Sequence, residues 1–231
     1  MPSHSDDAGA WRAGQRRHLL AWRAGLDAGQ KHAHETAISL TLVHGLPVVA
    51  GQIVGVCWPV RGEPDLQLAL QAWRELGVSL ALPQTLPDSG TLVFRPWTEH
   101  TPLARGPMGI PYPDSTHTCA PDYLLIPLVG FDAKGYRLGY GGGYFDRTLA
   151  ALTPRPVCIG VGFAGCQIPD TRAQWHDIPM DAVVTETSAW LTQDQQLHAL
   201  PSRLWRRGLA ALSQTRRLSG DAIPPDQTPP E

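Results

Sequence analysis

Asp122-Tyr-Leu-Leu-Ile-Pro-Leu-Val-Gly-Phe-Asp-Ala-Lys-Gly-Tyr-Arg-Leu-Gly-Tyr-Gly-Gly-Gly-Tyr-Phe-Asp-Arg-Thr-Leu149 is the stretch whose reading decides the fold. Tyr123 to Val129 is a continuous apolar run and reads as a buried strand. A loop with Gly139, Gly141, Gly142 and Gly143 follows, and a helical pattern opens near Tyr144. Glycines let backbone N–H groups approach an anion closely, and a helix N-terminus adds unpaired donors and a favourable dipole. Arg137 and Arg147 flank this cradle, and Asp146 offers a carboxylate for a cation. A P-loop is excluded, because Gly143 is followed by Tyr144 and Phe145 rather than Lys and Ser or Thr. The dinucleotide fingerprint fails too, since Tyr144 stands where its last glycine belongs. The plain alternative is a glycine-rich surface turn, but a turn does not need two arginines and an aspartate around it.

Outward from this stretch, strands and helices alternate. Trp11 to about Leu26 has an amphipathic helical pattern, and a second helix is expected over His32 to Val43. Ile53 to Trp58 reads as the first core strand, Leu66 to Leu76 as a helix stopped by Gly77, and Val78 to Leu82 and Thr91 to Phe94 as strands. Pro102 to Pro121 is rich in Pro, Gly and small polar residues and reads as an irregular crossing loop. Val157 to Phe163 and Ala182 to Thr185 read as the last strands. Leu191 to Leu212 has helical character interrupted by Pro201. The pattern predicts an α/β fold: a Rossmann-like open, mostly parallel sheet with helices on both faces. Domain boundaries follow as a flexible N-terminus over 1–10, an α/β domain over 11–187 and an extension over 188–231. The extension is expected to be disordered from about 219, where prolines crowd and apolar residues are few.

At 231 residues and 42% apolar content, the chain can bury one good core. A net charge of −2 argues against a general nucleic-acid surface. No apolar run approaches the roughly 18 residues needed to span a bilayer, and the polar start lacks a signal-peptide core. Cys57, Cys119, Cys158 and Cys166 lack paired spacing and read as reduced, partly buried thiols. A cytoplasmic monomer is expected, without nucleic-acid or membrane partners.

Other groups carry chemistry by position. Arg12 and Arg16 lie four apart on one helix face, where a solvated basic face is the alternative. Glu63 and Asp65 follow the carboxyl end of the first strand, the place where open α/β sheets bind ligands. An acidic pair there can hold the amino groups of a heterocycle; an exposed loop turn is the even alternative. Asp177 can join Asp146 around Mg²⁺, which favours carboxylates, waters and substrate phosphates, although helix-capping aspartates are commoner than ligands. His32 and His34 fall on different helix faces, which disfavours a metal site. Trp58 and Trp97 are more often core than ligand platforms.

The run from Pro127 to Arg147 resembles the signature of the 5-formyltetrahydrofolate cyclo-ligases, also called methenyltetrahydrofolate synthetases. Arg12-x-x-x-Arg16 is similar to a basic element of that family's first helix, and Trp58-Pro59 with Glu63-Pro64-Asp65 to its acidic strand-end motif. Gln167, Pro169, His176-Asp177, Asp181 and Thr185-Glu186 resemble its closing segment. The chain departs from the pattern at Arg12, where Lys is usual, at Pro64, at Tyr112-Pro113 and at Phe145, where Tyr is usual. The resemblance covers about residues 11–187 and implies a sugar-phosphate isomerase-like architecture. It also implies ATP- and Mg²⁺-dependent conversion of 5-formyltetrahydrofolate into 5,10-methenyltetrahydrofolate, through a phosphorylated formyl group, with release of ADP and phosphate.

By that resemblance ATP is held by Arg12, Arg16, Arg137, Leu138, Gly139, Tyr140, Gly141, Gly142, Gly143, Tyr144 and Phe145. Mg²⁺ falls to Asp146 and Asp177, the folate to Trp58 and to Glu63 or Asp65, and Arg137 and Asp146 carry the catalytic roles. Two other readings stay open on the residues alone. A sugar-phosphate isomerase or coenzyme-A transferase relative would use the glycine loop without ATP. A nucleotide- or folate-binding regulator would keep the loop without turnover.

Overall fold

The computed structural model describes residues 4–219. Its first half runs α1 (His4–Ala24), α2 (Ala28–Gly45), β1 (Ile53–Gly55), α3 (Gln67–Glu75), β2 (Ser79–Leu86), β3 (Thr91–Trp97), β4 (Leu103–Arg105) and β5 (Pro111–Pro113). The second half runs β6 (Tyr123–Pro127), β7 (Gly130–Phe131), β8 (Arg137–Leu138), α4 (Tyr144–Ala151), β9 (Val157–Val161), β10 (Ala182–Val184), β11 (Ala189–Gln193), β12 (Gln196–Ala199) and α5 (Ser202–Ser219). The proline-rich tail expected from about 219 lies beyond the described residues.

One eight-stranded sheet has the order β12-β11-β10-β9-β6-β1-β2-β3. Its centre, from β10 to β2, is parallel, and antiparallel strands close both edges. The α/β fold is therefore mixed and mostly parallel, with flanking helices, consistent with a Rossmann-like arrangement. Residue alternation explains the two-sided packing. Tyr123, Leu125, Val157 and Ile159 face one layer with Ile38, Leu42, Trp73 and Trp205 of α2, α3 and α5. Leu124, Ile126 and Cys158 face the other, with Phe131 of β7 and Leu149 of α4. From β1 the chain passes to β2 on one side and later to β6 on the other, so a crevice opens beyond the carboxyl ends of β1 and β6.

Three expectations need correction. The first helix begins at His4 rather than near Trp11. The loop from 102 to 121 contains the β4–β5 hairpin, tied by pairing of Ala104 with Tyr112. Leu191 to Ala199 is not helical but completes a hairpin, turned by Asp194 and Gln195 at φ of 49° and 59°. Alternate burial along β11, with Ala189 and Leu191 inward, is the period-two signal that Pro201 obscured. The helix starts just after that proline, whose carbonyl accepts from Leu204 and Trp205 N–H.

Helix α5 is welded to the sheet layer by Trp205. Its indole is fully buried, donates to the Trp190 carbonyl at 2.9 Å, and lies where a Cβ on Gly45 would come within 2.4 Å. At the amino edge of the sheet, Asp181 accepts from the Arg216 guanidinium and from Cys158 N–H, and pairs with Arg155 at 3.3 Å. Asp181 is thus committed at the end of the sheet opposite the crevice. Trp205→Ala should lower unfolding free energy by about 3–5 kcal/mol, measured by urea denaturation. A loss under about 1 kcal/mol would mean that α5 is an ornament rather than part of the core.

Candidate functional site

Helix α1 carries Arg12, Arg16, Leu19 and Arg23 at i, i+4, i+7 and i+11, one stripe along one face. Two glycines let that face settle closely. A Cβ on Gly130 would lie 2.7 Å from Leu19 Cδ1, and one on Gly165 would lie 2.2 Å from the Trp22 ring. Arg23 is 2% exposed, and its Nη2 donates to the Leu128 carbonyl at 2.6 Å. Its Nη1 donates to the Tyr140 hydroxyl at 3.4 Å. A buried guanidinium is costly unless its donors are met, so these acceptors fix where α1 lies. That position brings Arg12 and Arg16 to the crevice.

The glycine loop is short and clamped from both sides. Arg16 Nε donates to the Gly139 carbonyl at 2.7 Å, while Arg147 Nη2 donates to Gly142 O at 2.6 Å and its Nε to Gly90 O at 2.8 Å. Gly141 and Gly143 have φ of +95° and +65°, which glycine alone adopts easily. Gly139 differs: its φ is ordinary and no atom lies within 4 Å of where a Cβ would be. The protein itself makes no demand for glycine there, so the open side is a cradle that a side chain would fill. Gly143 caps α4 without a side-chain hydrogen bond, leaving the first-turn N–H groups available. Burial and the neighbouring Arg12 lower the Arg16 pKa from its usual value. Asp177 pulls the other way, so Arg12, Arg16 and Asp177 form one charge cluster beside the loop.

The other predicted residues of this segment divide by depth. Leu138 is fully buried with Leu19 and Val129, so only its backbone faces the loop. Phe145 is half-buried with the Arg137 guanidinium 5.9 Å from its ring centroid, and Tyr144 lies under that of Arg147 at 5.4 Å. Arg137 is 6% exposed and donates to the Ile178 carbonyl at 2.8 Å. Its Nη2 lies 2.6 Å from Asp146 Oδ1, an ion pair by distance, yet no N–H lines up on an acceptor. The contact is an electrostatic pair rather than a well-aligned hydrogen bond, and Asp146 meets the Arg137 charge.

Asp146 and Asp177 share one arrangement. Asp146 Oδ1 takes Arg137 and accepts Ile178 N–H at 3.0 Å. Asp177 Oδ2 accepts Arg12 Nη1 at 2.6 Å and Gln174 N–H at 2.8 Å. The second oxygen of each carboxylate accepts no hydrogen bond from a described residue. Among the described residues no three His, Cys, Asp or Glu side chains gather as a closed metal cage. One carboxylate oxygen left without a donor on each of Asp146 and Asp177 is compatible with Mg²⁺, which takes one or two carboxylates and completes its shell with phosphates and water.

On the far side of the crevice, Glu63 is 3% exposed. Its Oε1 accepts the Tyr140 hydroxyl at 2.7 Å and its Oε2 the Val60 N–H at 2.9 Å. Burial pushes its carboxyl pKa above the ordinary glutamate value, with both donors pulling the other way. Asp65 is exposed instead, its carboxylate accepting Gln67 N–H at the start of α3. A cavity of about 210 Å³ opens next to this turn, lined by Cys57, Trp58, Pro64, Asp65, Leu66, Leu82 and Trp97, while Glu63 lines a smaller neighbouring one with Cys57 and Pro64. Trp58 and Trp97 meet edge to face at 6.1 Å across it.

Sequence reading missed three participants. Arg23 was legible as the continuation of the Arg12–Arg16 stripe. Trp97 joins the cavity wall from β3, and the Tyr140–Glu63 bond joins residues far apart in the chain; neither leaves a local signal. The four cysteines are free thiols. Burial raises the pKa of all four, that of Cys158 to about 12, so none is a nucleophile at neutral pH.

The model of the 5-formyltetrahydrofolate cyclo-ligase family matches residues 8–186. The 5-formyltetrahydrofolate cyclo-ligase of Escherichia coli K12 is 37% identical over 157 residues, covering 62% of this chain and 83% of that protein. That of Haemophilus influenzae is 27% identical over 172 residues, covering 71% and 92%. Two solved structures share the fold at 24% identity. A 5,10-methenyltetrahydrofolate synthetase from Mycoplasma pneumoniae gives a TM-score of 0.63 over 76% of this chain and 98% of its own. One from Aquifex aeolicus gives 0.67 over 79% and 93%. Together with the glycine loop between β8 and α4, these matches establish that the chain belongs to the 5-formyltetrahydrofolate cyclo-ligase family.

Proposed function

We propose that this protein converts 5-formyltetrahydrofolate into 5,10-methenyltetrahydrofolate at the expense of ATP, with Mg²⁺. The observation that carries this reading is the 2.7 Å hydrogen bond from Tyr140, in the glycine loop, to Glu63, beside the tryptophan-lined cavity. Phosphoryl transfer needs donor and acceptor side by side, and this bond joins the two candidate subsites. An isomerase relative would need only a phosphate cradle and has no use for the second subsite.

A formamide carbonyl is a poor electrophile, and its oxygen is a poor leaving group. The formyl oxygen attacks the γ-phosphorus, ADP departs, and the formyl carbon becomes an imidate-like phosphate. N10 then attacks that carbon, phosphate leaves with the former formyl oxygen, and N10 gives up its proton to close the ring. No protein nucleophile is required. The chain's own work is positioning and charge compensation. Backbone N–H groups of the loop and of the α4 N-terminus, with Arg12, Arg16 and Arg137, would hold the triphosphate. Asp146 and Asp177 would hold Mg²⁺ through their open oxygens, and the ion would supply charge neutralisation at the phosphates. Glu63 would accept N–H groups of the pterin, while Trp58 and Trp97 would bound its ring or its aryl amine.

Mixing the protein with 5-formyltetrahydrofolate and Mg-ATP should raise methenyl absorbance and ADP in equal amounts. ADP without methenyl product, or neither, would sink the assignment. Gly139→Val fills the open side of the loop without forcing positive φ. It should weaken ATP binding by about ten-fold or more by calorimetry, with the thermal midpoint held. Unchanged affinity would remove this loop from the nucleotide site. Gly142 is a poorer test, because its Cβ would already meet the Tyr144 ring at 2.9 Å.

Glu63 yields a pH prediction with a definite sign. Only the ionised carboxylate accepts on both oxygens, so folate binding should weaken as pH falls through its pKa. Since burial raises that pKa, the acid limb should lie above the ordinary glutamate range. Glu63→Gln should flatten that limb and raise the folate KM about ten-fold or more at neutral pH, leaving the ATP KM nearly unchanged. A limb that survives the substitution would assign the titration to another group.

A further inference from the structure

Glu63 is closed off from a ligand in this conformation, by burial and by the groups that cover its two oxygens. Tyr140 occupies Oε1, Val60 N–H occupies Oε2, and the residue is 3% exposed. Each oxygen keeps a lone pair, but at this burial a pterin reaches it only if a covering group moves aside. Val60 lies three residues away in the same turn and is held there by the Glu63 N–H to Val60 carbonyl bond at 3.0 Å. Tyr140 is the displaceable partner: 39% exposed, and carried by the glycine loop between Gly139 and Gly141. Its ring is flanked by the Arg61 guanidinium at 5.3 Å, and its hydroxyl receives Arg23 Nη1. One side chain of the nucleotide loop thus bolts the pterin carboxylate shut.

We infer that Tyr140 is a positioning latch that couples the two substrates: nucleotide on the glycine loop lifts Tyr140 from Glu63, and the freed carboxylate then takes the folate. The inference rests on the reading of both subsites given above. The physical route is short. The Gly139 carbonyl is held by Arg16, and Gly141 has its α-carbon substituent direction 3.4 Å from the same guanidinium. A triphosphate drawing Arg16 toward its oxygens releases the Gly139 carbonyl, the backbone group just before Tyr140. When the latch opens, Arg23 keeps its bond to Leu128 O, so α1 need not move. By linkage, the coupling works in both directions: bound folate must also favour nucleotide by the same factor.

The test measures the dissociation constant of 5-formyltetrahydrofolate with and without saturating Mg²⁺ and a non-hydrolysable ATP analogue. In the unmodified protein the nucleotide should tighten folate binding about ten-fold or more, the worth of one hydrogen bond to a charged group. Tyr140→Phe keeps the ring and removes the bolt. It should tighten folate binding in the absence of nucleotide by a similar factor and bring the nucleotide effect close to one. A merely structural role would not move that ratio. Both ligands binding the unmodified protein with no mutual effect would overturn the latch alone. So would equal coupling in both proteins, or a Tyr140→Phe that weakens folate equally with and without nucleotide, because the hydroxyl would then touch the substrate directly. Failure of either ligand to bind the unmodified protein would overturn the substrate assignment, and the latch with it. The first comparison uses no variant, so a poorly folded Tyr140→Phe leaves the proposal exposed to refutation.

Discussion

The bond from Arg23 to the Leu128 carbonyl is the contact on which the site depends. Leu128 follows β6 at the crevice, and its carbonyl has left the strand ladder where β6 ends. An acceptor at 2.6 Å with a buried guanidinium on the other side satisfies two groups that would otherwise be orphaned away from water. Because the donor is covalently part of α1, satisfying it fixes the rotation of that helix. Arg12 and Arg16 then have only one place to point. Leu19 and Trp22 fill the space opened by Gly130 and Gly165, so shape and hydrogen bonding select the same docking.

A glycine loop has a high conformational entropy to lose. Two arginines oppose that cost from elements that are themselves rigid. Arg16 reaches in from α1 and Arg147 from the first turns of α4, and each grips a loop carbonyl rather than an N–H. A guanidinium can only donate, so these clamps occupy carbonyls and take up none of the loop's N–H groups. Arg147 also holds the turn between β2 and β3 through Gly90, so the loop is tied to the sheet edge as well as to its own helix. Arg137 is held beside the loop by its ion pair with Asp146 and its bond to the Ile178 carbonyl.

The two ends of the sheet have separate tasks. At the carboxyl end, Asp146 and Asp177 each keep one oxygen that accepts no hydrogen bond from a described residue. At the amino end the carboxylates are closed off: Asp181 is taken by Arg216, Arg155 and Cys158 N–H, and Asp122 by Arg217 and Ile53 N–H. The hairpin β11–β12 and helix α5 extend and cover the sheet beyond residue 186, where the family match ends. Trp205 packs that extension into the same core layer as α2, α3 and the central strands, so it adds to the stability of the sheet.

The sequence by itself determined the strand–glycine loop–helix unit, the alternation of buried strands and covering helices, and the residues of the loop, because these are local patterns of period and backbone freedom. It also marked Glu63 through its place after the first strand, and Arg12 with Arg16 through helical spacing. Tertiary structure alone decided that Leu191 to Ala199 pairs as a hairpin, since a short apolar stretch beside a proline satisfies either period until a neighbouring strand offers hydrogen bonds. It decided that Arg23 is buried and that Trp97 joins Trp58, because burial depends on which distant surface arrives. Above all it brought Tyr140 onto Glu63 across 77 positions of sequence. Such a contact has no local signature: it follows from the sheet order, which sets the ends of β1 and β6 side by side at the crevice.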